Sequence, residues 1–169
     1  MDKFYRLMIG VAFTFLLFSI LVRAVHASDT KEVDSCDYTL KGELSMQQVR
    51  AISYLPRSST LCINSAGGNM RIYMDLVSII KENNIKTRCV GFCGSGAALA
   101  YLASDEHPNQ TEATLGLHAP GYLDGGIRVS LNEPEHKEQY KGLGVDKLLT
   151  LEQWDAMWNN GQEIYVDIN

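Results

Sequence analysis

Ser95 lies between Gly94 and Gly96, after the stretch Arg88-Cys89-Val90-Gly91-Phe92-Cys93 and before the small-residue run Ala97-Ala98-Leu99-Ala100-Tyr101-Leu102-Ala103. The first stretch reads as a short buried strand and the last as an alanine-rich helix that packs closely. A serine in the turn between them meets free backbone N–H groups and the positive end of the helix dipole, which favour a developing negative charge. Two roles compete for it. As a helix N-cap its hydroxyl would accept a hydrogen bond from the first turn, the commoner fate of such a serine. As a nucleophile it would need a base and a second set of oxyanion donors at the same place.

The elements that position Ser95 follow from the hydrophobic pattern. Tyr38 to Leu44 alternates as a first strand. Ser45 with Gln48 forms a capping box flanked by the staple pair Leu44 and Val49, so a helix starts there and ends near Leu55-Pro56. Thr60-Leu61-Cys62-Ile63-Asn64 is a buried strand that runs into the glycine turn Ser65-Ala66-Gly67-Gly68. A helix from Asn69 to Asn83 carries Met70, Tyr73, Val77 and Ile80 on one stripe. Lys86 to Phe92 is the next strand, and the Ser95 turn and helix follow.

Strands and helices that alternate in this way predict parallel strands joined by right-handed crossovers, hence an α/β domain. Ligands collect at the C-terminal ends of such strands, so the Gly67-Gly68 turn and Ser95 become neighbours. After the polar loop Asp105 to Thr114, His118 ends the run Leu115-Gly116-Leu117 and is expected at that same edge. Asp124-Gly125-Gly126 reads as a turn, Ile127-Arg128-Val129 as a brief strand or loop, and Glu133 to Gly142 as a charged surface helix. Thr150 and Gln153 make a second capping box, ahead of a helix with Leu151, Trp154, Met157 and Trp158 on one stripe and Gly161 at its C-cap. Glu163 to Ile168 supplies a last strand. His107 and His136 sit in polar stretches and are expected in solvent.

A chain of 169 residues with 46% hydrophobic and 21% charged residues suits one domain with a real core. Its net charge of -5 gives no basic footprint for nucleic acid. Lys3 and Arg6 precede an apolar run from Leu7 to Val22, and Val25-His26-Ala27 suits signal-peptidase cleavage. Residues 1–27 are therefore read as a signal peptide and 28–169 as a single domain, periplasmic or secreted. An uncleaved N-terminal membrane anchor is the alternative, and it would be the chain's only membrane contact. Export lets Cys36, Cys62, Cys89 and Cys93 form disulfides, in any of three pairings. Their spacings of 26, 27 and 4 residues contain no C-x-x-C pair, so no metal site and no cofactor is expected.

Three pieces, Ile63-Asn64-Ser65-Ala66-Gly67-Gly68, Gly91-Phe92-Cys93-Gly94-Ser95 and Leu117-His118-Ala119-Pro120, together resemble the serine peptidases of the Clp protease proteolytic-subunit type, within the wider superfamily that includes the crotonases. The chain looks closer still to exported bacterial Clp-like proteins, over roughly Cys36 to the C-terminus. The resemblance implies repeated ββα and βαβ units with a mainly parallel sheet and flanking helices. It implies Ser95 as nucleophile and His118 as base, with Asp146, in Asp146-Lys147-Leu148-Leu149-Thr150, as the acid. Asp155 and Asp167 are substitutes for that acid. The oxyanion hole would come from the N–H groups of Gly68 and Gly96. Ala66 stands where the family has proline, and Ala97 where exported relatives often have a second cysteine, so Cys93 needs another partner or stays free. The stretch from His118 to Asp146 is shorter than in the peptidases.

These residues make a coherent set: His118 takes the Ser95 proton, Asp146 orients the imidazole, and backbone donors hold the tetrahedral oxyanion. The implied function is an exported serine hydrolase acting on peptide or protein substrates, with self-association as a family expectation. An inactive Clp-like module that binds peptides or proteins is the alternative. A crotonase-like acyl-CoA enzyme is a further one, disfavoured by export away from the cytosolic CoA pool.

Overall fold

The computed structural model describes residues 35–124, 127–131 and 133–169. The signal-peptide reading of residues 1–27 and the Gly125-Gly126 turn lie outside the described residues. Among the described residues, no helix is long and apolar enough to cross a membrane.

Four parallel strands form the frame: β1 (Tyr38–Lys41), β2 (Thr60–Ser65), β3 (Lys86–Gly94) and β4 (Ala113–Leu117). The strand β7 (Ile164–Ile168) closes the sheet antiparallel to β4, giving the order β1-β2-β3-β4-β7. The crossovers are α1 (Met46–Ser53), α2 (Met70–Asn83) and α3 (Gly96–Leu102), which pack side by side. A separate hairpin, β5 (Gly121–Asp124) and β6 (Ile127–Ser130), follows β4. Three further helices lead to β7: α4 (Pro134–Gly142), α5 (Val145–Leu148) and α6 (Leu151–Asn159). The expected α/β class with a mostly parallel sheet and flanking helices is the observed one.

Local chemistry accounts for where the elements begin. Ser45 and Gln48 exchange both capping hydrogen bonds at the start of α1, and Thr150 and Gln153 do so at α6. Leu44 and Val49, the staple pair, are both buried. Asn69 caps α2 through its side-chain oxygen, and Asn84 ends that helix in the left-handed region at φ 50°. Helix α6 stops one residue earlier than expected: Asn160 is the C-cap, and Gly161, at φ 65°, turns the chain away.

Strand β3 is irregular where it matters most. Ile63 pairs with Cys89 and Ser65 with Cys93, so β3 spends four residues where β2 spends two. The surplus arches out at Gly91, whose φ of 87° needs glycine. A disulfide between Cys89 and Cys93 spans the arch, and a second joins Cys36 to Cys62. Cys93 therefore has a partner, and all four cysteines are oxidised. Before β4 begins, the side chain of Gln110 serves the backbone of Cys89 from both ends, accepting from its N–H at 3.0 Å and donating to its carbonyl at 2.9 Å. Past the arch, β3 pairs with β4 from Phe92 to Gly94.

Of the two histidines expected in solvent, His107 is half-buried. Its ring stacks on Tyr101 with centroids 4.1 Å apart, and Nδ1 donates toward the Thr87 carbonyl at 3.2 Å. The Thr87 hydroxyl donates to the Tyr101 carbonyl at 2.7 Å, tying the end of α3 to the start of β3. Burial lowers the His107 pKa from its ordinary 6.5, against the weaker opposing effects of the Thr87 carbonyl and Asp105. His136 is also partly covered, with Nδ1 3.6 Å from a Glu133 carboxylate oxygen. The polar sequence around His107 hid the Tyr101 ring it packs against.

Candidate functional site

The C-terminal ends of β2, β3 and β4 carry the residues singled out by their chemistry. Gly94 and Gly116 are register partners in β3 and β4, so Ser95 and His118 lie one and two residues beyond that pair on adjacent strands. The Ser95 N–H donates to the Gly116 carbonyl at 2.7 Å, which fixes the turn to the β4 end.

Ser95 is half-buried at φ 55° and ψ −127°, and its hydroxyl makes no capping hydrogen bond to α3. An N-cap serine has β-region backbone and bonds to the second or third helical N–H. Neither holds here, so Ser95 is not acting as a cap. Its conformation is nearly glycine-only and costs an L-residue about 1–3 kcal/mol; such strain clusters at functional sites. The surroundings hold it there. The Ser95 carbonyl accepts from Ala98 at 3.0 Å and Leu99 at 3.3 Å, starting α3.

Close packing of the two glycine turns leaves no room for side chains. A Cβ on Gly67, at φ 97°, would lie 2.5 Å from Ser95 Cβ and 2.6 Å from the Gly94 carbonyl. One on Gly96 would lie 2.5 Å from the Tyr73 ring. The Gly67-Gly68 turn thus lies directly against the Ser95 turn, as the strand pattern requires.

Tyr73, from α2, underlies both turns. Its ring packs beneath Gly96, and its hydroxyl lies 2.8 Å from the Ser65 Oγ, which accepts from the Gly67 N–H at 3.1 Å. The Tyr73 pKa is raised, mainly by burial, with the hydrogen bond to Ser65 opposing and the nearby Glu43 charge adding. Sequence periodicity marked Tyr73 only as a core residue. Its hydroxyl is a polar support for the turn, signalled by nothing except a polar tip on an apolar stripe.

His118 is half-buried, and its Nδ1 lies 2.7 Å from the Ala119 carbonyl. A carbonyl only accepts, so Nδ1 carries the proton and a neutral ring keeps its lone pair on Nε2. The Tyr140 hydroxyl, from α4, donates to the His118 carbonyl at 3.0 Å. Asp146 is exposed on α5, and its charge is felt at the Lys141 ammonium. Asp155 is exposed on α6. Asp167 accepts from the Thr114 hydroxyl at 2.8 Å on the β4–β7 pair. That is three residues back from Leu117, roughly 10 Å from the strand end, so Asp167 is not placed to serve His118.

Among the described residues, no group of His, Cys, Asp and Glu is arranged to hold a metal ion. Ser95, His118 and the glycine turns bring hydroxyl, imidazole and backbone-amide groups to the strand ends.

No protein-family model matches the chain, and no curated protein matches it. Among solved structures, a point mutant of ClpP1 from Listeria monocytogenes is similar at 15% identity and a TM-score of 0.46, covering 76% of this chain and 81% of that one. At that identity the likeness is a distant one of fold alone.

Proposed function

We propose that this chain is an exported serine hydrolase acting on peptide or protein substrates. Ser95 is the nucleophile and His118 the general base, while Gly68 and Gly96 supply the oxyanion N–H groups; Asp146, exposed on α5, would act as the acid only by replacing the Ala119 carbonyl at His118 Nδ1. The observation that carries this reading is the backbone of Ser95, held at φ 55° without any capping bond at a helix start. Strain of this kind aims a hydroxyl away from the helix and toward a ligand. The proton on His118 Nδ1 supports it too, because it leaves Nε2 as the basic atom.

In the first step His118 Nε2 takes the Ser95 proton as the Oγ–carbon bond forms, and the carbonyl oxygen becomes an oxyanion held by backbone N–H donors. Collapse breaks the scissile bond, and the imidazolium returns its proton to the leaving amine. Water then attacks the acyl-enzyme by the same route in reverse and frees the acid product. Residues 1–27 as a cleaved signal peptide would deliver the domain, 28–169, to the periplasm or outside. Self-association belongs to the same proposal.

Peptide-library hydrolysis by the wild type and by Ser95→Ala tests this reading. Turnover in the wild type that vanishes in the variant supports it. Equal product in both contradicts it. One observation favours a second reading, a non-catalytic module that binds peptides or proteins at these strand ends. The His118 Nδ1 proton goes to the Ala119 carbonyl, while Asp146 is exposed and its charge acts on Lys141. Wild-type protein that binds peptides and cleaves none would select it.

A further inference from the structure

Glu43 follows β1 by two residues and so stands at the same sheet edge as Gly68 and Ser95. Its side chain runs across Gly68: a Cβ there would lie 3.0 Å from Glu43 Cγ and 3.3 Å from Oε1. Its charge also reaches the Tyr73 hydroxyl, one of the influences that raise that pKa. Glu43 is exposed, and among the described residues nothing hydrogen-bonds or ion-pairs with its carboxylate.

An unpaired surface carboxylate is ordinary by itself. Beside a backbone amide that must receive an oxyanion it is not neutral, because like charges repel and the developing negative charge is penalised. A substrate that brings a cation to this spot removes the penalty and gains an attraction, whereas a neutral or acidic one does neither.

We propose that Glu43 is a specificity-determining residue that favours substrates with a positive charge next to the scissile carbonyl. The cation is an ammonium or guanidinium, from either a lysine or arginine side chain or a free α-amino group. This inference rests on the serine-hydrolase reading above.

Three p-nitrophenyl esters test it, with the Ser95→Ala rate subtracted as background. The first is of Nα-acetyl-lysine, the second of Nα-acetyl-norleucine, which lacks the ammonium, and the third of norleucine with its α-amino group free. The wild type is expected to show kcat/KM roughly three- to tenfold higher on one or both cationic esters than on the neutral one. Whichever of the two is preferred identifies the source of the charge. The preference should shrink with added salt, which a purely structural role would not produce. Glu43→Gln should bring the ratio to about one, and Glu43→Lys should invert it. Ester turnover with a ratio that Glu43→Gln leaves unchanged overturns the inference and leaves the hydrolase standing. No turnover above background by the wild type overturns both.

Discussion

The Tyr140 hydroxyl donates a hydrogen bond to the backbone carbonyl of His118 at 3.0 Å, linking a helix that follows the hairpin to the proposed base. Tyr140 is fully buried and meets Trp158 edge-on, with centroids 5.2 Å apart. The late helices join the core through these two rings. They hold the segment that carries the imidazole.

Tyr140→Phe keeps the ring and its contact with Trp158 but removes the donor. Loss of one buried hydrogen bond predicts a stability decrease of about 1 kcal/mol in denaturant unfolding. Because the released carbonyl belongs to His118, kcat should fall severalfold with little change in KM. A variant with the stability loss and full kcat would show that this contact is merely structural.

Gly67→Ala inserts a Cβ within 2.6 Å of both Ser95 Cβ and the Gly94 carbonyl, at a φ of 97°. Backbone strain and overpacking then act together, and a loss of more than about 2 kcal/mol is expected. Gly142→Ala, in a helix where nothing lies within 4 Å of the added atom, serves as the control and should be nearly silent. Thermal unfolding of the two variants beside the wild type checks the contrast.

Protonation of His107 should weaken the fold. Burial lowers its pKa below the ordinary 6.5, so just below pH 6.5 the unfolded chain binds a proton that the native chain still refuses. The stabilising contribution is complete above pH 6.5, falls as pH drops toward the lower folded value, and levels off below it. Relative to His107→Gln, the wild type should lose stability through that window in chemical denaturation measured at a series of pH values. Parallel curves for the two proteins would contradict this.

How far the sequence carried the fold can be seen residue by residue. Both capping boxes, the α2 stripe and the strand–helix alternation that makes β1 to β4 parallel were legible because local chemistry and tertiary demand agree there. The antiparallel direction of β7 was not, since a short apolar run gives no sign of the sense in which it pairs. Nor was the arch at Gly91: a bulge is set by register between strands, and the Cys89–Cys93 disulfide that spans it was one of three pairings the spacing allowed.

At the candidate site, the types and order of Ser95 and His118 were readable, and the sheet brings them to adjacent strand ends. What the sequence could not give was support through the backbone. The Ala119 carbonyl on His118 Nδ1, the Tyr140 hydroxyl on the His118 carbonyl and the Tyr73–Ser65–Gly67 relay join groups distant from each other in pattern or hidden in the main chain. Glu43 escaped notice for a related reason. It falls within the stretch Tyr38 to Leu44 read as one strand, whereas β1 ends at Lys41 and Glu43 lies over Gly68.

Everything proposed for this site depends on the reactivity of the Ser95 hydroxyl. Its most direct test is reaction of the folded protein with a fluorophosphonate probe, followed by peptide mapping. Covalent modification of Ser95 is expected in the wild type, abolished by unfolding and strongly slowed in His118→Ala. A folded wild type in which Ser95 stays unmodified would contradict the hydrolase proposal.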